Sequence, residues 1–336
     1  MGTDNYPVPD VEGAVLAARE WGDEIILVGD EARVQAELDN YNTTGLKLEL
    51  VHASQVIEMT DKQPAEVARA KKDSSMRVGM NLVRDGQADA FVSAGNTGGL
   101  LAVATLHSVK RIRGVLRPAL TAVLPLAKGR VTLLDVGANA DCKPEYLYQF
   151  GLMGSIYTER VLGVENPRVA LLSNGEEPGK GNTLVKEAFE LLKASKLNFV
   201  GNVEGKELIA AEADVVVTDG FTGNIALKTI EAVARMLNGL IRDQLMSNPL
   251  TILGGILAKP AFRRVAKQID PFEVGGAPLL GVNGVVIGAH GRSNAWAIRN
   301  AIRQARLAVE GDVLNAIKTG ISHQLTAFSF RPSSAD

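Results

Sequence analysis

Five times along this chain a short aliphatic run stops at a turn rich in Gly, Asn and Asp, and a helix-like run follows at once. The stretches are residues 88–104 (ADAFVSAGNTGGLLAVA), 133–145 (LLDVGANADCKPE), 170–182 (ALLSNGEEPGKGN), 215–228 (VVVTDGFTGNIALK) and 285–297 (VVIGAHGRSNAWA). Each reads as strand, turn, helix. Strands separated by helices require crossover connections, and crossovers give a mostly parallel sheet covered by helices on both faces. Ligands of such sheets sit beyond the carboxyl ends of the strands. The expectation is therefore an α/β fold in which all five turns share one rim and one cleft. Glycines let a turn adopt positive φ and clear space, so that N–H groups of the turn and of the helix N-terminus close around an anion such as phosphate. Ser93, Gly95, Asn96, Thr97 and Gly98 are the candidates in the first turn.

The rest of the chain continues the alternation. Residues 11–21 repeat apolar positions at helical spacing, and 24–29 and 47–52 read as strands. Pro64 suits a first helical turn, and Asp73 is placed to cap a helix over 74–84 with Met76, Met80 and Val83 on one face. Strands are expected at 119–126, 131–136, 169–172, 198–203 and 215–217, with a helix over 183–194 whose Leu184, Ala188 and Leu191 face inward. From 236 to 270 the composition shifts to Leu, Ile, Met, Gly and Pro with late basic residues, which reads as two short helices set into the α/β domain. Its apolar face suits a helix packing or dimer contact, or else a basic tip against lipid or an acyl chain. Helices over 294–309 and on to about 325 close a domain of residues 1–325, leaving 326–336 as a loose tail.

Composition excludes several classes. With 46% hydrophobic and 22% charged residues over 336 positions, the chain has the make-up of a globular domain with a substantial core. A net charge of −2 argues against general nucleic-acid affinity. The lone Cys142 forbids an intrachain disulfide and fits a reducing, cytoplasmic setting. No run approaches the roughly twenty apolar residues that span a bilayer, and the N-terminus carries no secretory signal.

Several words occur together and in order: KKDSSM (71–76), DAFVSAGNTGGL (89–100), LLDVGANADCKPE, NGEEPGKGN, DGFTGNIALKT (219–229), then GGAPLLGVNG and AHGRSNAWAI. From residue 1 to about 325 the chain resembles the bacterial phosphate acyltransferases of phospholipid synthesis, the PlsX family (acyl-[acyl-carrier-protein]:phosphate acyltransferases). The resemblance implies a phosphotransacetylase- and isopropylmalate-dehydrogenase-like fold, a homodimer, and transfer of a long acyl chain from carrier-protein thioester to inorganic phosphate. It implies no metal and no cofactor. As partners it implies acyl carrier protein and, downstream, an acyl-phosphate:glycerol-3-phosphate acyltransferase. A cytoplasmic place with peripheral membrane contact fits it. Family members also begin with a short strand ahead of a motif that here starts near Met1, so a neighbouring strand is expected to keep unpaired backbone groups.

That reaction needs phosphate charge neutralised, phosphate aligned with a thioester carbonyl, and the developing oxyanion stabilised. Lys180 is the candidate for the charged role and Asn224 for an amide donor, or alternatively for a helix cap. Asp135, Asn139, Gly181, Thr222, Gly223 and His290 are candidates for the substrate pocket, although Asp135 and Asn139 could equally tie loops together and His290 could be a packed histidine. Cys142 has no histidine near it in sequence to activate it as a nucleophile. An acidic carrier asks for basic residues, and Lys110, Arg111, Arg113 and Arg117, then Arg263, Arg264 and Lys267, form the two densest clusters. Two other readings stay open: a phosphotransacetylase using a short acyl-coenzyme A, and a noncatalytic scaffold of lipid synthesis.

Overall fold

Every aliphatic run that ends in one of the five turns forms a strand. The computed structural model describes residues 3–269 and 271–329. In chain order the elements are α1 (Val8–Trp21), β1 (Ile25–Gly29), α2 (Glu31–Leu38), β2 (Leu48–His52), α3 (Pro64–Ala70), α4 (Ser75–Arg84), β3 (Ala90–Ser93) and α5 (Thr97–Ala102), which runs on into a π-helical turn (Val103–His107). Next come β4 (Ala119–Leu126), β5 (Gly129–Leu134), α6 (Pro144–Leu162), β6 (Val169–Leu172), α7 (Thr183–Lys193), β7 (Phe199–Val203), α8 (Gly205–Ala210), β8 (Val215–Val217) and α9 (Gly220–Leu245). The chain closes with α10 (Pro249–Ile269), α11 (Pro271–Val274), β9 (Ala277–Leu280), β10 (Val285–Gly288), α12 (Ala295–Glu310) and α13 (Val313–Ser329).

Eight strands form one sheet in the order β3-β10-β9-β4-β5-β8-β6-β7, while β1 and β2 form a separate parallel pair. Side-chain alternation sorts the large sheet's residues to its two faces. Leu134, Val169, Leu171, Val215 and Val217 pack with Phe150, Met153 and Tyr157 of α6 and with Ile317 and Ile321 of α13. Leu133, Val131, Ala170 and Val216 point the other way, toward Leu208 of α8 and Leu227 and Ile230 of α9. Both faces are covered, which explains why these strands read as continuous aliphatic runs.

The single-rim expectation does not hold. β10 is parallel to β3, but the pairings β10–β9, β9–β4 and β4–β5 are all antiparallel. An odd number of reversals turns β5, β8, β6 and β7 opposite to β3 and β10. The turns after β5, β6 and β8 therefore leave one edge of the sheet, and those after β3 and β10 leave the opposite edge. The sequence signal for this was the β9–β10 hairpin: Gly281 and Gly284 punctuate two short apolar runs, with Gly281 at φ +92°.

Smaller corrections follow from packing. Asp73 does not cap α4; Ser74 holds that position, and Asp73 instead accepts from the Ser54 amide and hydroxyl. The buried residues of α7 are Ala188, Phe189 and Leu192, so its inward face is turned from the one expected. The excursion is not two short helices: α9 is continuous over 26 residues from the rim, and α10 adds 21. Residues 326–329, expected in the loose tail, belong to α13, and 330–336 lie outside the described residues.

Candidate functional site

The three turns of the first rim start from adjacent strands in register. Leu134 of β5 is level with Val217 of β8, and Val217 with Leu171 of β6. Strands about 4.8 Å apart thus launch the three turns within roughly 10 Å of one another. β4, antiparallel to β5, begins at this same edge, with Thr121 opposite Leu134. The loop that feeds it carries Lys110, Arg111, Arg113 and Arg117, all exposed.

Asp135 follows β5 and is fully buried. Its Oδ1 accepts from the amides of Leu120 (3.0 Å), Gly137 (3.1 Å) and Ala138 (3.0 Å). Its Oδ2 accepts from the amide (2.7 Å) and side-chain Nδ2 (2.8 Å) of Asn139. Burial raises the Asp135 pKa, and these donors pull against that rise. Asn139 also donates to the Pro118 carbonyl and accepts the Gly220 amide, so one carboxylate ties the start of β4, the post-β5 turn and the start of α9 together. Asp135 and Asn139 thus act on loop geometry, and the side chains left facing outward lie on the other two turns.

Asp219 caps α9: its carboxylate accepts from the Thr222 amide and hydroxyl, each at 2.8 Å. The cap role is filled, so Asn224 is not a cap. Asn224 is exposed in the first turns of α9, its carboxamide 4.0 Å from where a Gly137 Cβ would stand, and its side chain makes no hydrogen bond among the described residues. Gly223 is obligatory here, because a Cβ would stand 2.0 Å from the Asp135 carbonyl oxygen. On the third turn Lys180 is exposed and forms no ion pair among the described residues; its amide donates to the Glu177 carbonyl. Gly181, at φ +96°, swings the chain into Asn182, which caps α7 by accepting from Val185, and its amide donates to Asn174. A cation and an amide donor, Lys180 and Asn224, are free side chains of turns from neighbouring strands.

The other rim groups the remaining candidates. Asn96 is spent on structure: Oδ1 caps α5 through Gly99, and Nδ2 donates to the Glu58 and Met59 carbonyls. Ser93 accepts from the Gly95 amide, Gly98 lies against Pro64, and Thr97 is exposed. His290 follows β10, and its Nδ1 accepts from the Arg292 amide, which leaves the neutral ring's proton on Nε2. Partial burial, then the charges of Lys228 and Arg292, lower its pKa. Lys228 lies about 12 Å along α9 from Gly220, so this helix carries the chain from the first rim to His290.

Cys142 is half-buried, its Sγ directed at the Asn139 carbonyl, and burial pushes the thiol up to about 12. It is no thiolate nucleophile at neutral pH. Glu176, Glu204 and Glu207 converge beside the Lys180 turn, but Lys206 Nζ already bridges them at 2.8, 3.5 and 3.2 Å. Arg263 and Arg264 are exposed on α10, whereas the Lys267 side chain lies outside the described residues.

The fold is that of the phosphotransacetylases. A phosphotransacetylase from Streptococcus pyogenes superposes with a TM-score of 0.59 at 19% identity, covering 92% of this chain and 93% of that one. The chain itself belongs to the family described as fatty acid synthesis protein, whose model matches residues 1–316. Phosphate acyltransferases of Elusimicrobium minutum and Clostridioides difficile are each 49% identical to it, over 95% and 96% of this chain and 94% of each relative.

Proposed function

We propose that this chain is a phosphate acyltransferase that moves a long fatty acyl group from acyl carrier protein to inorganic phosphate. The observation that carries this reading is the alignment of β5, β8 and β6, which brings the Lys180 and Asn224 turns to one edge. Lys180 neutralises phosphate and Asn224 donates to the oxyanion as a phosphate oxygen adds to the thioester carbonyl. The tetrahedral adduct collapses with cleavage of the C–S bond, and the carrier thiolate leaves and takes up a proton. Gly181, Thr222 and Gly223 shape the phosphate pocket, and Ser93, Gly95, Asn96, Thr97, Gly98 and His290 line its approach from the far side of α9.

Lys110, Arg111 and Arg113 enter the sheet beside this edge and suit an acidic carrier; Arg263 and Arg264 offer a second contact. The α9–α10 hairpin exposes Leu240, Leu250, Leu253, Ile256 and Leu257. An apolar face of this extent supports a homodimer, with peripheral contact at an anionic membrane as its alternative use in a cytoplasmic protein. Among the described residues no helix is long and apolar enough to cross a membrane. The acyl phosphate product would pass to an acyltransferase acting on glycerol 3-phosphate.

The test is release of free carrier thiol from palmitoyl-carrier protein with and without phosphate. Phosphate-dependent release supports the proposal. Faster release from acetyl-coenzyme A would favour a short-chain phosphotransacetylase, which shares this fold, and binding without release would favour a scaffold.

A further inference from the structure

We infer that Asn202 of β7 is a positioning residue for phosphate capture: from beneath the turn it holds the backbone that aims Lys180, given the role proposed for Lys180 as the group that takes phosphate. The turn has little stiffness of its own at that point. Gly179 and Gly181, on either side of Lys180, both adopt positive φ, +91° and +96°, and glycine passes easily between such states and others. Glu177, Pro178, Gly179 and Lys180 form a β-turn of the type II pattern, closed by the Lys180 amide donating to the Glu177 carbonyl at 3.1 Å. That carbonyl has a second lone pair. Asn202 Nδ2 donates to it at 3.2 Å, so the turn on which Lys180 ends is tied to β7, 25 residues further along the chain.

This tie comes from the protein interior. Asn202 is 7% exposed, whereas residues 176–180 of the turn are all exposed. Other ties on the turn lie at the surface: Asn174 accepts from the Gly181 amide at 2.9 Å, and Lys206 meets Glu176 at 2.8 Å. Surface ties compete with water and hold less. Stability does not account for an asparagine here. Every other buried residue of β6, β7 and β8 is aliphatic, and Asn202 Oδ1 is buried with no hydrogen-bond partner among the described residues, a costly state for an amide. Leucine has the same branched outline and would remove that cost, but it has no donor for the Glu177 carbonyl. What the asparagine adds is the hold on the turn, and with it the aim of Lys180, whose stem folds back over Gly175.

The experiment compares the full wild-type chain with Asn202→Leu and the smaller Asn202→Val. Thiol release is measured with phosphate varied at fixed palmitoyl-carrier protein and then the reverse, together with Tm and amide hydrogen exchange over residues 174–182. In both variants KM for phosphate is expected to rise roughly tenfold while KM for palmitoyl-carrier protein stays at the wild-type value. Tm is expected to equal or exceed that of wild type, and exchange over the turn to quicken. An asparagine serving only the fold would lower Tm and disturb both KM values together, and that result overturns the inference, as does an unchanged KM for phosphate. Exchange over the turn that stays at the wild-type rate overturns it as well, and is read without turnover. Wild type that releases no thiol in phosphate would overturn the acyl-transfer reading, and the positioning role with it, whatever the exchange rates.

Discussion

Five donors converge on the Asp135 carboxylate, three from the turn it begins and one from β4, with the Asn139 side chain completing the set. Asp135→Asn keeps the volume but turns an NH2 toward donors, so a loss of about 1–3 kcal/mol in urea unfolding is expected. Lys180 is exposed and forms no ion pair among the described residues, and its stem lies against Gly175 outside the hydrophobic core, so its removal leaves the core intact. Lys180→Ala is expected to lower kcat/KM about 100-fold or more with Tm unchanged, which thiol-release kinetics and a melting curve check together. His290 titrates below its ordinary 6.5 in the folded chain. The unfolded chain then takes up a proton first as pH falls, so this contribution to stability is complete above pH 6.5 and is lost below it. Flattening of the stability profile just below pH 6.5 in His290→Asn checks this. The types of these residues were legible in the sequence, and loop-tying by Asp135 was one of the two roles open to it; that Asn96 is spent on structure was not legible, because two of its partners, the Glu58 and Met59 carbonyls, lie far away in the chain.

Among the elements, α9 does most to join the molecule's parts. Its first turn presses on the Asp135 carbonyl, its third brings Lys228 to His290, and its second half projects with α10. Gly223→Ala is expected to push the helix off the rim, costing about 1–3 kcal/mol and most of the activity. Gly239→Ala, on the same helix with nothing within 4 Å, is the control and is expected to be neutral or stabilising. Circular dichroism melts with the thiol-release assay separate the two. Sequence periodicity found a helix at both ends of this stretch but broke it in two, because 3.6-residue patterning reports burial and most of α9 packs on nothing in a single chain.

For the whole molecule, the exposed hairpin is the feature a lone chain leaves unexplained. Leu250 and Leu257 are 79% and 76% exposed. Replacing both with Glu is expected to shift the sedimentation coefficient from dimer toward monomer while the far-ultraviolet spectrum stays the same. If the wild type is monomeric and instead floats with anionic vesicles, the face belongs to lipid.

What the sequence determined by itself was local. Aliphatic runs of strand length, glycine-rich turns and capping residues specify which segments are strands and where they stop, because dihedral freedom and hydrophobic period are properties of short stretches. Strand direction and order were decided only by the tertiary structure. Whether β10 pairs with β3 or β9 with β4 depends on which distant edges meet, and that choice split the five turns between two rims.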